Sequence, residues 1–397
     1  MKTNKILPFL LILSLIGCCI EVDISVPSFP DMARYFATTE DKIQWTLSLN
    51  FLGFCLSSLI WGPLSESFGR RRMLIVGNIF FTLGGLGCAF GQSIDWIIAF
   101  RFFQGFGASA TSIIAIAMIA DTYQGERATR FNGLLESVIT ASMAIAPVAG
   151  GFINKFWGWR ANYSSVALIS LSTLFMIIFF LPETKPNFAP WRPKKTIGHY
   201  LTLFANKKFM TYSLVPSILV SGYLAFLGTG AFLLIDQLGV PLIKYSIYQG
   251  LIVGSYSLVS FFAGRIVKLV GKRACVTAGA VLTALPAGAL VLQSYIYPES
   301  AALITLLMCA YSVGSALVYT VVFTDSMHIF PEIKGLSSAA LMFMRMFMCS
   351  ATISLISFIY NGTLFPIACA MLALALTAAF LISGMYRPEA SKPASVY

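Results

Sequence analysis

Charge is what this chain has least of. Asp, Glu, Lys and Arg together make up 11% of its residues, against roughly 25% in a soluble globular domain, and that scarcity excludes an ordinary soluble protein. The eight cysteines show no paired metal spacing and read as small apolar side chains inside helices. No Walker A run, metal-ligand cluster or nucleophile elbow occurs, which leaves ATP-driven pumping and recognisable hydrolase chemistry without support. The expectation is therefore a chain that is not an enzyme and carries no cofactor and no metal.

What fills the space is hydrocarbon. Apolar residues account for 57% of the 397, and the mean hydropathy is +0.80. Runs long enough to cross roughly 30 Å of bilayer at about 1.5 Å per residue number about twelve, the first over 6–28 and the fifth over 131–154. The predicted fold class is an all-α membrane protein, with twelve transmembrane helices in two six-helix bundles. A motif like a lipoprotein signal, Leu15-Ile16-Gly17-Cys18, would cut the first run in its middle if cleaved, so the run is read as a span. One long polar stretch, rich in Pro and Lys, separates residues 1–182 from 209–397. It is read as a cytoplasmic linker, 183–208, too short for a soluble domain and long enough to let two bundles move.

Basic residues set the orientation. Of 27 Lys and Arg, Arg34, Lys42, Lys155, Arg160 and Lys244 fall outside if both termini lie in the cytoplasm. Arg101 and Arg345 fall inside helices, and the others line the inner face, as the positive-inside rule requires. The net charge of +11 then needs no nucleic-acid partner, because it borders an anionic inner leaflet of membrane lipids.

Between the second and third runs lies Trp61-Gly62-Pro63-Leu64-Ser65-Glu66-Ser67-Phe68-Gly69-Arg70-Arg71-Arg72. Two glycines permit close packing and a tight reversal, and three arginines sit where a bilayer would meet cytosol. The pattern returns half a chain later as Gly264-Arg265, Lys268 and Gly271-Lys272-Arg273. A half-length internal repeat is how many secondary transporters are built.

The first loop resembles the signature of the major facilitator superfamily, and its wording is similar to the Bcr/CflA group of drug:proton antiporters. Glu66 stands where that group has Asp, and Ser67 where it has a basic residue. The order Asp-x-x-x-Pro-x-x-Pro from Asp23 to Pro30 resembles the group's first-helix motif, which places Asp23 on its membrane acid. Glu21 lies outside the match, and two residues apart on a helix the pair point about 200° from one another. Arg101, Gln104 and Gly105 share a helix face and resemble the fourth-helix motif. Ala146-Pro147-Val148-Ala149-Gly150-Gly151 resembles the exporters' fifth-helix motif, with Ala146 replacing a glycine.

The resemblance implies a proton-coupled exporter of drugs or small amphipathic molecules, working by alternating access as a monomer in the inner membrane. A nutrient symporter or facilitator is the alternative within transport, and a polytopic membrane enzyme or receptor the one outside it. Asp23, Glu21 and Arg101 are the candidates for proton coupling. Topology places Asp23 and Arg101 both roughly 6–9 Å below the outer surface, so Arg101 can reach either acid. Gly62, Glu66, Gly69, Arg70 and Arg71 are the candidates for conformational gating. Pro147, Gly150 and Gly151 form a helix-bend motif, and Gln104, Glu136 and Arg345 are candidate cavity residues. Arg345 either faces the cavity or pairs with Asp325.

Overall fold

The computed structural model describes residues 6–123, 125–185 and 187–385, with backbone alone at 125–130, 132, 133 and 136. All of its regular structure is helical, and twelve helical spans are long and apolar enough to cross a membrane. The first is broken. Helix α1 (Ile6–Asp23) ends four residues before Pro27, which cannot donate a backbone hydrogen bond; a 3-10 turn (Val26–Ser28) follows, then α2 (Phe29–Phe36). The span therefore runs past residue 28 by two helical turns. Asp23 lies at the break.

The remaining amino-terminal spans are α3 (Glu40–Phe68), α4 (Arg70–Ala89), α5 (Ile94–Thr122), α6 (Gly125–Trp157) and α7 (Trp159–Phe180). Inside the polar segment expected to be a linker, α8 (Pro193–Ala205) forms. The carboxy-terminal spans are α9 (Lys207–Ala231), α10 (Leu242–Val270), α11 (Lys272–Ile296), α12 (Ala301–Met327), α13 (Lys334–Ile359) and α14 (Leu364–Met385). Helix α9 continues as a π-helical stretch over Phe232–Gln237. It is the most enclosed span, with 89% of its apolar window buried against 33% for α10 or α14.

The sequence repeat is also a repeat of packing. Helix pairs α3–α5, α4–α5 and α4–α7 in one half correspond to α10–α12, α11–α12 and α11–α14 in the other. Small residues permit it: a Cβ on Gly77 would lie 2.1 Å from that of Ala110, and one on Gly279 would lie 2.7 Å from Val318 Cγ2, so only glycine fits either crossing. Gly69 and Gly271, with φ of +101° and +84°, start α4 and α11 at the two matching turns.

Two seams join the halves, α3 with α13 and α6 with α10. In the first, Ser48 Oγ donates to the Ser350 carbonyl at 3.1 Å, Ser350 Oγ donates to the Ser48 carbonyl at 2.9 Å, and the hydroxyls of Ser48 and Ser354 are 2.8 Å apart. Where α2 and the turn before it meet the π-helical stretch, Arg34 reaches Asp236 at 3.0 Å, and the rings of Phe29 and Phe232 lie 6.5 Å apart. Buried apolar side chains fall into three clusters among the described residues. The largest joins the outer part of the first half to the second half; the inner part of the first half has its own. The third seats α8 against the inner ends of α9 and α13. There the buried Tyr200 hydroxyl donates to the Leu59 carbonyl at 3.0 Å. Burial and the Glu66 charge push that phenol up, so it remains a donor.

Candidate functional site

Glu21 and Asp23 leave α1 in opposite directions, as a 100° step per residue requires. Glu21 turns into the first half. Its carboxylate accepts from Arg101 Nη1 at 2.7 Å and from Asn50 Nδ2 at 3.0 and 3.3 Å. The same Asn50 amide donates to the Arg101 carbonyl at 3.2 Å, and Arg101 Nη1 also reaches Gln104 Oε1 at 2.9 Å. The guanidinium lies 5.7 Å from the centre of the Tyr163 ring. Arg101 is 0% exposed, so the pair stands in a dry environment where only close geometry offsets desolvation. Arg101 Nε and Nη2 and Gln104 Nε2 have no hydrogen-bond partner among the described residues.

Asp23 turns the other way. It is 4% exposed and makes no hydrogen bond or ion pair among the described residues. Its charge is within electrostatic reach of Tyr223 and Tyr245 in the second half. Of the two acids that depth alone allowed, the structure brings Arg101 to Glu21.

Across from Asp23 the second half presents aromatic rings. Tyr223 and Tyr256 stack at 5.4 Å and 15°. Arg345 donates to the Tyr319 hydroxyl at 3.1 Å and lies 4.8 Å from that ring's centre. Tyr223 is within electrostatic reach of both Asp23 and Arg345. The alternative partner for Arg345 is excluded here, since Asp325 is taken by Lys272. The side chain of Glu136 lies outside the described residues.

The bend motif sits where both halves meet. A Cβ on Gly150 would come 2.1 Å from the Ile24 carbonyl oxygen, and one on Gly151 would come 1.9 Å from Ser246 Oγ of α10. The Gly150 carbonyl also accepts from Asn162 at 3.2 Å. Pro147, inside α6, lies one turn before this double contact.

At the inner loop, Arg70 is buried and reaches Asp121 at 3.0 Å, Ser65 Oγ at 2.7 Å and Glu66 at 3.7 Å. Its backbone N–H and that of Arg71 donate to the two oxygens of Glu183 at 3.0 and 3.1 Å. A carboxylate thus caps the positive end of α4. Arg71 also donates to the Ile178 carbonyl at 2.6 Å. Gly69 packs beneath Glu183, and Gly62 has its nearest neighbour, Ile113, at ordinary contact distance. Sequence reasoning missed Asn50, Tyr163, Asp121 and Glu183. An amide inside an apolar run was a signal for Asn50; Glu183 gave none, because it opens a charged segment that reads as linker.

The Major Facilitator Superfamily description matches residues 11–353. This chain belongs to that superfamily. With twelve spans long and apolar enough to cross a bilayer, it is a multi-pass membrane protein. Its relatives include a bicyclomycin resistance protein homolog of Haemophilus influenzae, 28% identical over 63% of each chain. Multidrug resistance protein D of Escherichia coli is 30% identical over 61% of each. The match thus spans less than two thirds of either relative's length. An uncharacterised transporter of Bacillus subtilis is 27% identical over 97% of this chain and 96% of its own. Among solved structures, the human organic anion transporter MFSD10 superposes with a TM-score of 0.71, covering 96% of this chain and 100% of the other. A D-xylose–proton symporter superposes at 0.69, covering 94% and 97%. Both are 15% identical, a likeness of fold alone.

Proposed function

We propose that this transporter exports drugs or other small amphipathic molecules in exchange for protons, by alternating access in the cell's inner membrane, with both termini cytoplasmic. The observation that carries the reading is the contrast between the acids. Glu21 has a fixed counter-ion in Arg101, whereas Asp23 is buried without one and faces the other half. Leaving an unpaired charge in a membrane costs several kcal/mol, so Asp23 is the group that exchanges the proton. Glu21, Arg101 and Gln104 then form the rigid wall behind it. A cargo held between Asp23 and the Tyr223, Tyr256 and Arg345 surface competes with that proton. The names of the relatives, bicyclomycin and multidrug resistance, support the direction and the cargo class.

The halves 1–182 and 209–397 move as the two bodies, joined by 183–208. The closely packed turn at Pro147, Gly150 and Gly151 holds the outer seam shut in the state described. The loop with Gly62, Glu66, Gly69, Arg70 and Arg71 governs the exchange of states at the inner face. The protein works as a monomer. Orientation is checked by labelling: a cysteine replacing Glu299 should react with an impermeant reagent added outside, and one replacing Gly335 should not. Function is tested in proteoliposomes with an imposed pH gradient, using cargo chosen from susceptibility tests in a strain lacking its own exporters. Outward movement against inward proton flow is the expected result. Accumulation driven inward with protons would make the protein a symporter, and lipid turnover without flux would make it an enzyme.

A further inference from the structure

A cavity of about 560 Å³ opens between the start of α9 and the end of α14, on the outer wall of the second half and away from the seam with the first. Its volume falls in the range of about 300–1,000 Å³ typical of sites for small ligands. The lining divides by chemistry. Lys207, Lys208, Tyr212 and Ser383 supply polar groups, while Phe380 and Met385 supply apolar surface. Phe380 is 77% exposed and lies on α14, a span long and apolar enough to cross a membrane.

Both lysines are exposed, and neither has an acid partner among the described residues. Asp325, the acid within electrostatic reach of Tyr212, is already paired with Lys272. Two ammonium groups without an acid partner among the described residues, at the mouth of a half-apolar cavity and, in the proposed orientation, at the surface of an inner leaflet, call for a ligand with an anionic head and an apolar body. Free phosphate answers only the first demand and leaves the Phe380 and Met385 side uncovered.

We propose that this cavity binds the phosphodiester headgroup of an anionic phospholipid, with Lys207 and Lys208 on the phosphate and the glycerol and upper acyl chain against Phe380. The site does not depend on what the transporter carries or in which direction. Its test, made in detergent, also holds if the membrane orientation is reversed.

The test is native mass spectrometry of the full-length protein titrated with phosphatidylglycerol, phosphatidylcholine of matched chains, or inorganic phosphate. Phosphatidylglycerol should bind and phosphatidylcholine should not at the same concentration. The double variant Lys207→Gln, Lys208→Gln should lose about fivefold in affinity per lysine. The control Lys194→Gln, Lys195→Gln, on exposed α8, should lose none. Equal loss in control and double variant would overturn the proposal by reducing it to general surface charge. Displacement of the lipid by millimolar phosphate would assign the cavity to the free anion instead. Unchanged lipid binding in the double variant would remove these lysines, and the proposal, outright.

Discussion

Each half of the molecule carries an arginine within a membrane span, Arg101 on α5 and Arg345 on α13, and the two are held differently. Arg101 in the first half is fully enclosed, bonded to a carboxylate and a glutamine, and backed by Tyr163. Arg345 in the second half is partly exposed, and its hydrogen bond is to a tyrosine hydroxyl. The inner loops differ in the same direction. Arg70 is buried against Asp121, Ser65 and Glu66, whereas its counterpart Lys272 is exposed and meets Asp325. One architecture therefore carries a fixed polar network in its first half and a softer aromatic surface in its second. The proposed proton exchange needs the former, since it depends on exact charge placement. Accommodation of amphipathic cargo suits the latter, because ring faces tolerate many shapes.

The largest expected effect comes from breaking the first network. Arg101→Ala leaves Glu21 buried and uncompensated and should destabilise the protein by about 3–5 kcal/mol, seen as loss of folded protein or a much lower melting temperature in detergent. Arg345→Met strands no carboxylate. It should cost about 1 kcal/mol, the worth of one hydrogen bond, and change cargo preference instead. Equal destabilisation by the two variants would erase the distinction between the halves.

Overpacking the bend of α6 against the break after α1, beside the seam, comes next. Gly150→Ala drives a Cβ to the Ile24 carbonyl and should cost about 1–3 kcal/mol while lowering transport sharply. Gly264→Ala, whose Cβ would meet nothing within 4 Å, should leave both unchanged.

The smallest effect concerns the loops. Glu183→Gln removes the charge that caps α4 and should cost about 0.3–1 kcal/mol, with transport reduced and cargo binding kept. Measuring flux and binding on the same preparation separates gating from recognition.

Much of this was legible beforehand, and the gaps have physical reasons. Span number, the repeated loop and the small-residue crossings follow from hydropathy and from what only glycine permits. The two acids were known to diverge, yet no spacing rule says which of them faces α5; that depends on the tilt of α1 and on Asn50 reaching across from α3. Pro27 and Pro30 look like the end of a helical run, whereas they mark a break between α1 and α2. Glu183 joins the loop of Gly69 to Arg71 through contacts 112 and 113 residues distant in sequence, which no local pattern contains.

The central claim is that Asp23 exchanges the proton and Glu21 holds the wall. Proton-gradient-driven flux in proteoliposomes, measured beside melting temperature for Asp23→Asn and Glu21→Gln, tests it most directly. The account predicts that Asp23→Asn abolishes coupled flux while melting near the parent temperature, and that Glu21→Gln acts first by lowering stability. Coupled flux retained in Asp23→Asn, together with its loss in a stably folded Glu21→Gln, would contradict it.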